Sequence, residues 1–225
     1  EATIPSLLPS TQQQSLKRIV LVGDSMRTRA TTPFESYSHL NQSLFKRLMR
    51  LGALAQCTVK LDVQFDTNPD ITALLSHKFA PNIRNSNPDA QWINHGIKYP
   101  TQIIHVGPYN NNAKGESQVK PGLYQNLGEA EYMVAMFMYM RLVGYPKESI
   151  TILATTQAQV HLINDVLNYR CKKVPLFGLP KEVTTTTNCT TPNHYLLLSL
   201  VRTEMDGSDG IQLLRDSQHL LSTIS

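Results

Sequence analysis

Residues 127–143 constrain the fold of this chain more than any other segment, because a helical pattern there has signals at both ends. Asn126 is a favoured helix N-cap, and Glu129 three residues later gives the spacing of a capping box. Gly144 is typical of the residue that ends a helix. Between positions 132 and 140 the segment is apolar on every side. We therefore expect a helix that is buried on more than one face.

Two apolar runs on the C-terminal side of this helix predict strands. Residues 150–154 are rich in β-branched side chains, and residues 195–201 form a continuous apolar run. Such runs are typical of strands in the middle of a parallel sheet, so we expect both strands to be central and buried. Four apolar residues at helical spacing predict a half-buried helix between them: Val160, Ile163, Val166 and Leu167. Alternating strands and helices predict an α/β fold with a doubly wound parallel sheet.

The first half of the chain has weaker signals. Apolar spacing predicts a helix over residues 41–51. Three segments rich in strand-forming residues predict strands at 19–22, 58–65 and 102–106. Polar stretches with Asn, Pro and Gly predict loops at 82–99 and 110–122, and the second is long enough to be functional or mobile.

The composition is that of a globular protein with an excess of basic residues. Apolar residues make up 41% and charged residues 17% of the 225 positions, and the formal net charge is +4. This charge permits an RNA or phosphate partner without requiring one. A loose basic cluster fits a solvated face and a nucleic-acid patch equally well: Lys17, Arg18, Arg27, Arg29, Lys46, Arg47 and Arg50.

Several other protein classes are not indicated by the sequence. No apolar run is long enough for a membrane span, and the N-terminus lacks the pattern of a signal peptide. The chain does not begin with Met, so we expect it to be a piece of a longer protein. Three widely spaced cysteines and scattered histidines predict neither a disulfide framework nor a metal site, and they fit a reducing compartment.

Two blocks of sequence, residues 122–183 and 195–203, closely resemble the second RecA-like domain of the Aquarius-like family of intron-binding, helicase-like spliceosomal proteins. A weaker collinear similarity covers residues 1–75. The resemblance implies that residues 1–57 end a first RecA-like domain and that residues 58–225 form most of a second. It also implies a nuclear location, spliceosomal protein partners, and contact with intron or small nuclear RNA.

The family motifs that bind ATP are altered in this sequence. A phosphate-binding Gly-Lys pair and an acidic Asp-Glu pair are absent, and both would precede residue 1 in the family. In the third motif Gly23 and Asp24 are kept, but Arg27 replaces the Gln that senses the terminal phosphate. In the next motif Gln64 is kept, but Asp66 stands where a phosphate-binding cation is expected. The resemblance therefore implies a vestigial nucleotide cleft at Gly23, Asp24 and Gln64.

The later family motifs are degraded as well. The fifth motif is one residue short after Thr184 and Thr185, and no Ser-Arg-Ala-Arg sequence follows Thr203, with Arg215 the nearest arginine. Phosphoryl transfer depends on positioned charge, so we expect a non-catalytic scaffold without a cofactor. The alternative is an active ATP-dependent RNA helicase, which would require ATP and Mg²⁺.

Five retained residues are the RNA contacts that the resemblance implies: Thr155, Gln159, Thr184, Thr185 and Arg202. Structural alternatives stay open for several of them. Thr155 and Gln159 fit the start of a helix, and Arg202 fits a surface ion pair at a strand end. Asp24 fits a turn cap. Four methionines in the long helix fit core filling: Met133, Met136, Met138 and Met140.

A hypothesis from a different class is a GDSL-type esterase. Ser25 follows Gly23 and Asp24 as in the nucleophile block of those enzymes, Asp216 and His219 match their Asp-x-x-His block, and residues 107–110 resemble an oxyanion-hole segment. Such chemistry requires the histidine within hydrogen-bond reach of the serine. Because the helicase-like similarity is far longer, we expect Ser25 and His219 to lie beyond that reach.

Overall fold

The computed structural model describes residues 18–24, 44–52, 56–65, 67–78, 81–88, 93–107, 109, 115–121, 123–186, 188–189 and 194–202. Within them lie four α-helices, α1 to α4, at Leu44–Met49, Pro69–Lys78, Leu127–Val143 and Gln157–Arg170. The strands, β1 to β7, are Val63–Gln64, Arg84–Asn85, Glu116–Lys120, Leu123–Asn126, Ile150–Ala154, Glu182–Thr185 and Tyr195–Ser199, and a 3-10 helix spans Lys147–Ser149. None of the helices in these ranges is long and apolar enough to span a membrane.

A parallel sheet with the strand order β6-β5-β7 forms the centre of the described structure. Ile152 of β5 lies opposite Val183 on one side and Leu197 on the other. Because β5 is paired on both sides and covered by helices, all five of its residues are buried. The fully buried Phe137 and Ile163 bring α3 and α4 into the same core. These observations confirm the predicted RecA-like α/β fold class.

The prediction for β7 is wrong in its extent and its position. The strand ends at Ser199, and it pairs only with β5 among the described strands, so it lies at an edge of the described part of the sheet. Leu196 is 44% exposed as a result. A continuous apolar run is compatible with an edge strand when one face of the strand packs on the core, and Leu197 does so.

Helix α3 has the predicted bounds because its local signals are strong. The Asn126 Oδ1 accepts a hydrogen bond from the Glu129 backbone N–H at 3.1 Å. At the other end Gly144 has a φ of 108°, a left-handed conformation that glycine adopts without steric cost. These two residues fix where the helix begins and ends.

Only one face of α3 is fully buried, so the expectation of burial on several faces is wrong. The buried side chains repeat at helical spacing, at Ala130, Val134, Phe137 and Met140. Tyr132 and Tyr139 on other faces are 39% and 43% exposed. Of the four methionines, Met140 belongs to the core, and Met136 and Met138 pack against it, which confirms core filling for these three.

A loop around residues 95–97 covers part of the outer side of α3. The Tyr139 hydroxyl donates to the Gly96 carbonyl at 2.6 Å, and the Tyr145 hydroxyl donates to the His95 carbonyl at 2.8 Å. The ring of Tyr145 also meets Tyr195 edge to face, with 4.7 Å between centroids. Burial, and then proximity to Tyr195 and Tyr139, raise the pKa of Tyr145, so the phenol is held in its neutral form.

Two predicted strands in the first half are absent. Residues 19–22 and 102–106 form neither helix nor strand, and Val22 and Ile103 are 88% and 91% exposed. Strand-forming side chains do not make a strand without a partner, and no described strand pairs with either segment. Within the predicted strand at 58–65, only β1 is regular, and it pairs in parallel with β2 inside the predicted loop at 82–99.

Of three other elements before α3, one was predicted and two were not. Helix α1 confirms the helix predicted over 41–51 for the described part of that range. Helix α2 was not predicted, although the Asn68 Oδ1 accepts from the Asp70 N–H at 2.8 Å as a helix cap does. Strand β3 contradicts the loop predicted at 110–122, because it pairs antiparallel with β4.

Candidate functional site

Polar side chains gather where the parallel strands end and the helices α3 and α4 begin. Strands β5, β6 and β7 end at Ala154, Thr185 and Ser199, so the following residues share one edge of the sheet. In parallel α/β sheets this carboxyl edge is where ligands bind. We call it the carboxyl edge below.

Gln159 lies at the centre of this edge and is fully buried. Its Oε1 accepts from the Asn126 backbone N–H at 2.8 Å, and its Nε2 donates to the Asn126 carbonyl at 3.0 Å. The same Nε2 donates to Ser199 Oγ at 3.1 Å. The side chain therefore joins α4 to the start of α3 and the end of β7, which places Gln159 inside the protein.

Glu129 joins the same network from the first turn of α3, where it is 8% exposed. Its Oε2 accepts from Ser199 Oγ at 2.5 Å and from the Val201 backbone N–H at 2.9 Å. The reciprocal capping-box bond expected from Glu129 to the Asn126 N–H is not formed, because Gln159 accepts from that N–H instead. The carboxylate therefore binds the turn after β7.

The turn after β7 has a strained backbone. Val201 has a φ of 69°, a left-handed value that a β-branched residue rarely adopts. Its N–H is held by Glu129, and its carbonyl accepts from the Asn126 amide at 3.4 Å. Strain of this kind persists where the surroundings fix the backbone, and it is often found at functional sites. The turn sets the position of the next residue, Arg202.

Arg202 is packed against the β3–β4 hairpin. Its guanidinium carbon lies 3.7 Å from the ring centroid of Tyr124, a cation–π contact. Its Nε lies 3.2 Å from the Glu116 Oε2, and both side chains are 10% exposed. Arg202 thus forms an ion pair as in the structural alternative, but the pair is largely buried and not at the surface as that alternative had it. Nε and Nη1 are buried without an aligned hydrogen-bond acceptor among the described residues.

The predicted RNA-contact threonines lie along the same edge. Thr155 donates through its Oγ1 to the Leu200 carbonyl at 3.0 Å. Thr184 and Thr185 belong to β6, opposite Leu153 and Ala154. The structure therefore places Thr155, Gln159 and Arg202 at the same end of the sheet, with Thr185 on the opposite side of β5 from β7. Contact with RNA stays a prediction for all five residues.

The helix-start alternative also fits α4. Its N-cap is Thr156, whose Oγ1 accepts from the Gln159 N–H at 3.2 Å and donates to the Tyr124 carbonyl at 2.7 Å. Thr155 precedes that cap and Gln159 lies in the first turn, as expected for residues at a helix start.

The residues of the predicted nucleotide cleft occupy the first half of the described structure. Gly23 and Asp24 are exposed within residues 18–24. Gln64 lies in β1, and its Oε1 accepts from Thr72 Oγ1 of α2 at 3.0 Å. Arg27, Asp66 and Arg215 lie outside the described residues, so the cleft stays a prediction. Ser25, Asp216 and His219 of the esterase hypothesis also lie outside them, and their separation stays untested.

From the sequence we did not identify the residues that contact Arg202, Gln159 and Glu129 and hold them at the carboxyl edge. Glu116 and Tyr124 were not identified because the segment around them was predicted to be a loop or its border. Pro121 and Gly122 between them form a turn dipeptide that signals a hairpin. Ser199 carried no such signal, because its role depends on residues that are distant along the chain.

Comparisons with known proteins identify the class of this chain. Residues 40–225 match the family model described as an AAA domain, and the chain belongs to this family. The Aquarius-like resemblance is confirmed: the sequence is 39% identical over 236 residues to RNA helicase aquarius of Mus musculus, an alignment that covers 100% of this chain. It is also 35% identical over 192 residues to Pre-mRNA-splicing factor cwf11 of Schizosaccharomyces pombe, covering 82% of this chain. The chain spans only 15% and 14% of the lengths of these relatives.

Proposed function

We propose that this chain is a helicase-like scaffold of pre-mRNA splicing that contacts RNA and does not hydrolyse ATP. Its relatives are named as an RNA helicase and as a pre-mRNA-splicing factor, which supports a splicing role. The proposal includes a nuclear location, spliceosomal proteins as partners, and intron or small nuclear RNA as the nucleic acid. It also includes a boundary between two RecA-like domains at residues 57 and 58.

The observation that best supports RNA contact is the arrangement of Arg202 at the carboxyl edge. Arginine is suited to phosphate because its guanidinium offers several donors in a fixed plane. Tyr124 holds that plane on one side, and the Val201 turn fixes the backbone. Helix α4 begins at the same edge, and a helix N-terminus favours negative charge.

The five RNA residues of the proposal have two different roles. Thr155 and Arg202 lie beyond the ends of β5 and β7, and Thr184 and Thr185 lie on β6, next to β5 and on the opposite side from β7. Gln159 has no exposed surface, and its amide is used by Asn126 and Ser199. We therefore propose that Gln159 holds the start of α3 and the end of β7 in position and does not contact RNA directly.

We expect no ATP hydrolysis because charged residues in this sequence differ from those of the family motifs that bind ATP. Arg27 stands in place of the phosphate-sensing Gln, and Asp66 brings negative charge to a position that needs a cation. An arginine finger raises the rate of phosphoryl transfer by about a thousandfold or more, and residues 204–225 do not contain the Ser-Arg-Ala-Arg motif that supplies it.

Removing the charge of Arg202 should weaken RNA binding by the intact protein. We expect Arg202→Gln to reduce the affinity for a labelled single-stranded oligoribonucleotide by about three- to tenfold. The slope of log affinity against log salt concentration should also fall by about one, the value for a single phosphate contact. Fluorescence anisotropy at several salt concentrations measures both. Arg170→Gln is the matched control, because it removes one positive charge from a residue paired with Glu131 at 2.7 Å. Equal losses in both variants, or no binding by the unmodified protein, would refute the proposed contact.

A further inference from the structure

Glu116 reaches Arg202 from a strand that is otherwise exposed. Residues 117–120 of β3 are all exposed, whereas the Glu116 side chain is 10% exposed. The antiparallel register places Glu116 opposite Asn126, the residue that caps α3. The hairpin thus brings one carboxylate to the carboxyl edge, next to the Arg202 guanidinium.

The ion pair brings the opposite charges of Arg202 and Glu116 together, but it leaves N–H groups of the guanidinium without hydrogen-bond acceptors. Arginine and a carboxylate bind most strongly through two parallel N–H···O bonds. Here the Nε to Oε2 distance is 3.2 Å, yet neither Nε nor Nη1 has an aligned acceptor among the described residues. A buried donor without an acceptor is unfavourable. A phosphate group, with two free oxygens and a negative charge, offers both acceptors at once.

We propose that Glu116 is an internal competitor for phosphate at Arg202, and that an RNA phosphate replaces its carboxylate when RNA binds. This inference rests on the proposed function and names its specificity-determining residue. Tyr124 stacks on the guanidinium from β4 and keeps it in place during the exchange. The exchange needs a movement of the start of β3, which among the described strands is paired with β4 alone and whose residues 117–120 are exposed.

The exchange sets a threshold for anion binding. A phosphate must displace a carboxylate that is already at ion-pair distance, so weakly bound anions leave Glu116 in place. A polyanion whose other phosphates bind along the carboxyl edge displaces it, because those contacts add to the affinity. Glu116 therefore lowers the affinity of every anion that binds at Arg202, so that at a given concentration only anions with further contacts along the carboxyl edge, such as single-stranded RNA, occupy the site.

The test is a double-mutant cycle on the intact protein, with anisotropy of a labelled single-stranded oligoribonucleotide as the readout. Glu116→Gln keeps the shape of the side chain and is expected to tighten binding by about three- to tenfold. In the Arg202→Gln background the same substitution is expected to have no effect beyond that of a control. The control is Glu131→Gln, which removes an equal charge from the ion pair with Arg170. Circular dichroism verifies that each variant is folded.

A second set of titrations separates the proposed RNA contact from the proposed competitor role of Glu116. In these titrations inorganic polyphosphate displaces a fluorescent polyanion from the protein. If polyphosphate binds more tightly to Glu116→Gln than to the unmodified protein while RNA binds no variant, RNA contact is wrong and the competitor role stands. If RNA binds but Glu116→Gln matches Glu131→Gln, or acts equally with and without Arg202, the competitor role is wrong and RNA contact stands. If neither anion binds any variant, both proposals are wrong.

Discussion

Replacing Glu129 with alanine should lower the free energy of unfolding by about 2–4 kcal/mol. The substitution removes the acceptor of the Ser199 hydroxyl and of the Val201 N–H, both of which are buried. Leaving a buried donor unsatisfied costs about 1–3 kcal/mol, and Val201 also loses the bond that holds its left-handed backbone. Urea unfolding followed by circular dichroism measures the change.

Glu131→Ala is the matched control for this prediction. Glu131 is on the same helix, and its carboxylate pairs with Arg170 at 2.7 Å in a more exposed position. Ion pairs of this kind contribute about 0–1 kcal/mol, so the control should lose far less stability. Glu129→Gln keeps one acceptor oxygen and should recover part of the loss. Equal destabilisation by Glu129→Ala and Glu131→Ala would show that the buried network does not stabilise the fold.

Phe137→Ala should cost about 3–5 kcal/mol of unfolding free energy. The ring is fully buried on the inner face of α3, where it belongs to the core cluster with β5 and α4. Truncation removes that apolar contact and leaves a cavity that close-packed neighbours fill only partly.

Leu142→Ala on the same helix tests whether the loss at Phe137 comes from packing. Leu142 is 62% exposed, so its truncation should change stability by less than about 1 kcal/mol. Thermal and urea unfolding of both variants give the comparison. A loss at Leu142 as large as that at Phe137 would mean that the outer face of α3 is packed against another part of the protein.

The elements predicted well are those whose signals are local. Asn126 and Gly144 define both ends of α3 within the segment itself, and β5 has an apolar run between turn signals. The strand predictions at 19–22 and 102–106 failed because pairing depends on residues elsewhere in the chain. Helix α2 was missed, although Asn68 followed by Pro69 is a helix-start signal.

The candidate site was predictable in part. The family resemblance identified Thr155, Gln159 and Arg202, and the structure places them at one edge. It did not reveal that Gln159 is buried, because its partners Asn126 and Ser199 are 33 and 40 positions away. Glu129 was assigned to a local cap, whereas its side chain bonds to residues 70 and 72 positions away. Side chains that join distant segments leave no periodic pattern in a single sequence.

The central claim is that this helicase-like domain contacts RNA without hydrolysing ATP. The direct measurement is ATP turnover by the intact protein, with and without single-stranded RNA, compared with the Arg202→Gln variant. We predict no RNA-stimulated turnover above background in either protein, because Arg27 stands where the resemblance places the sensing Gln and Asp66 where it places a phosphate-binding cation. RNA-stimulated turnover that falls when Arg202 is replaced would contradict this account and establish an active helicase.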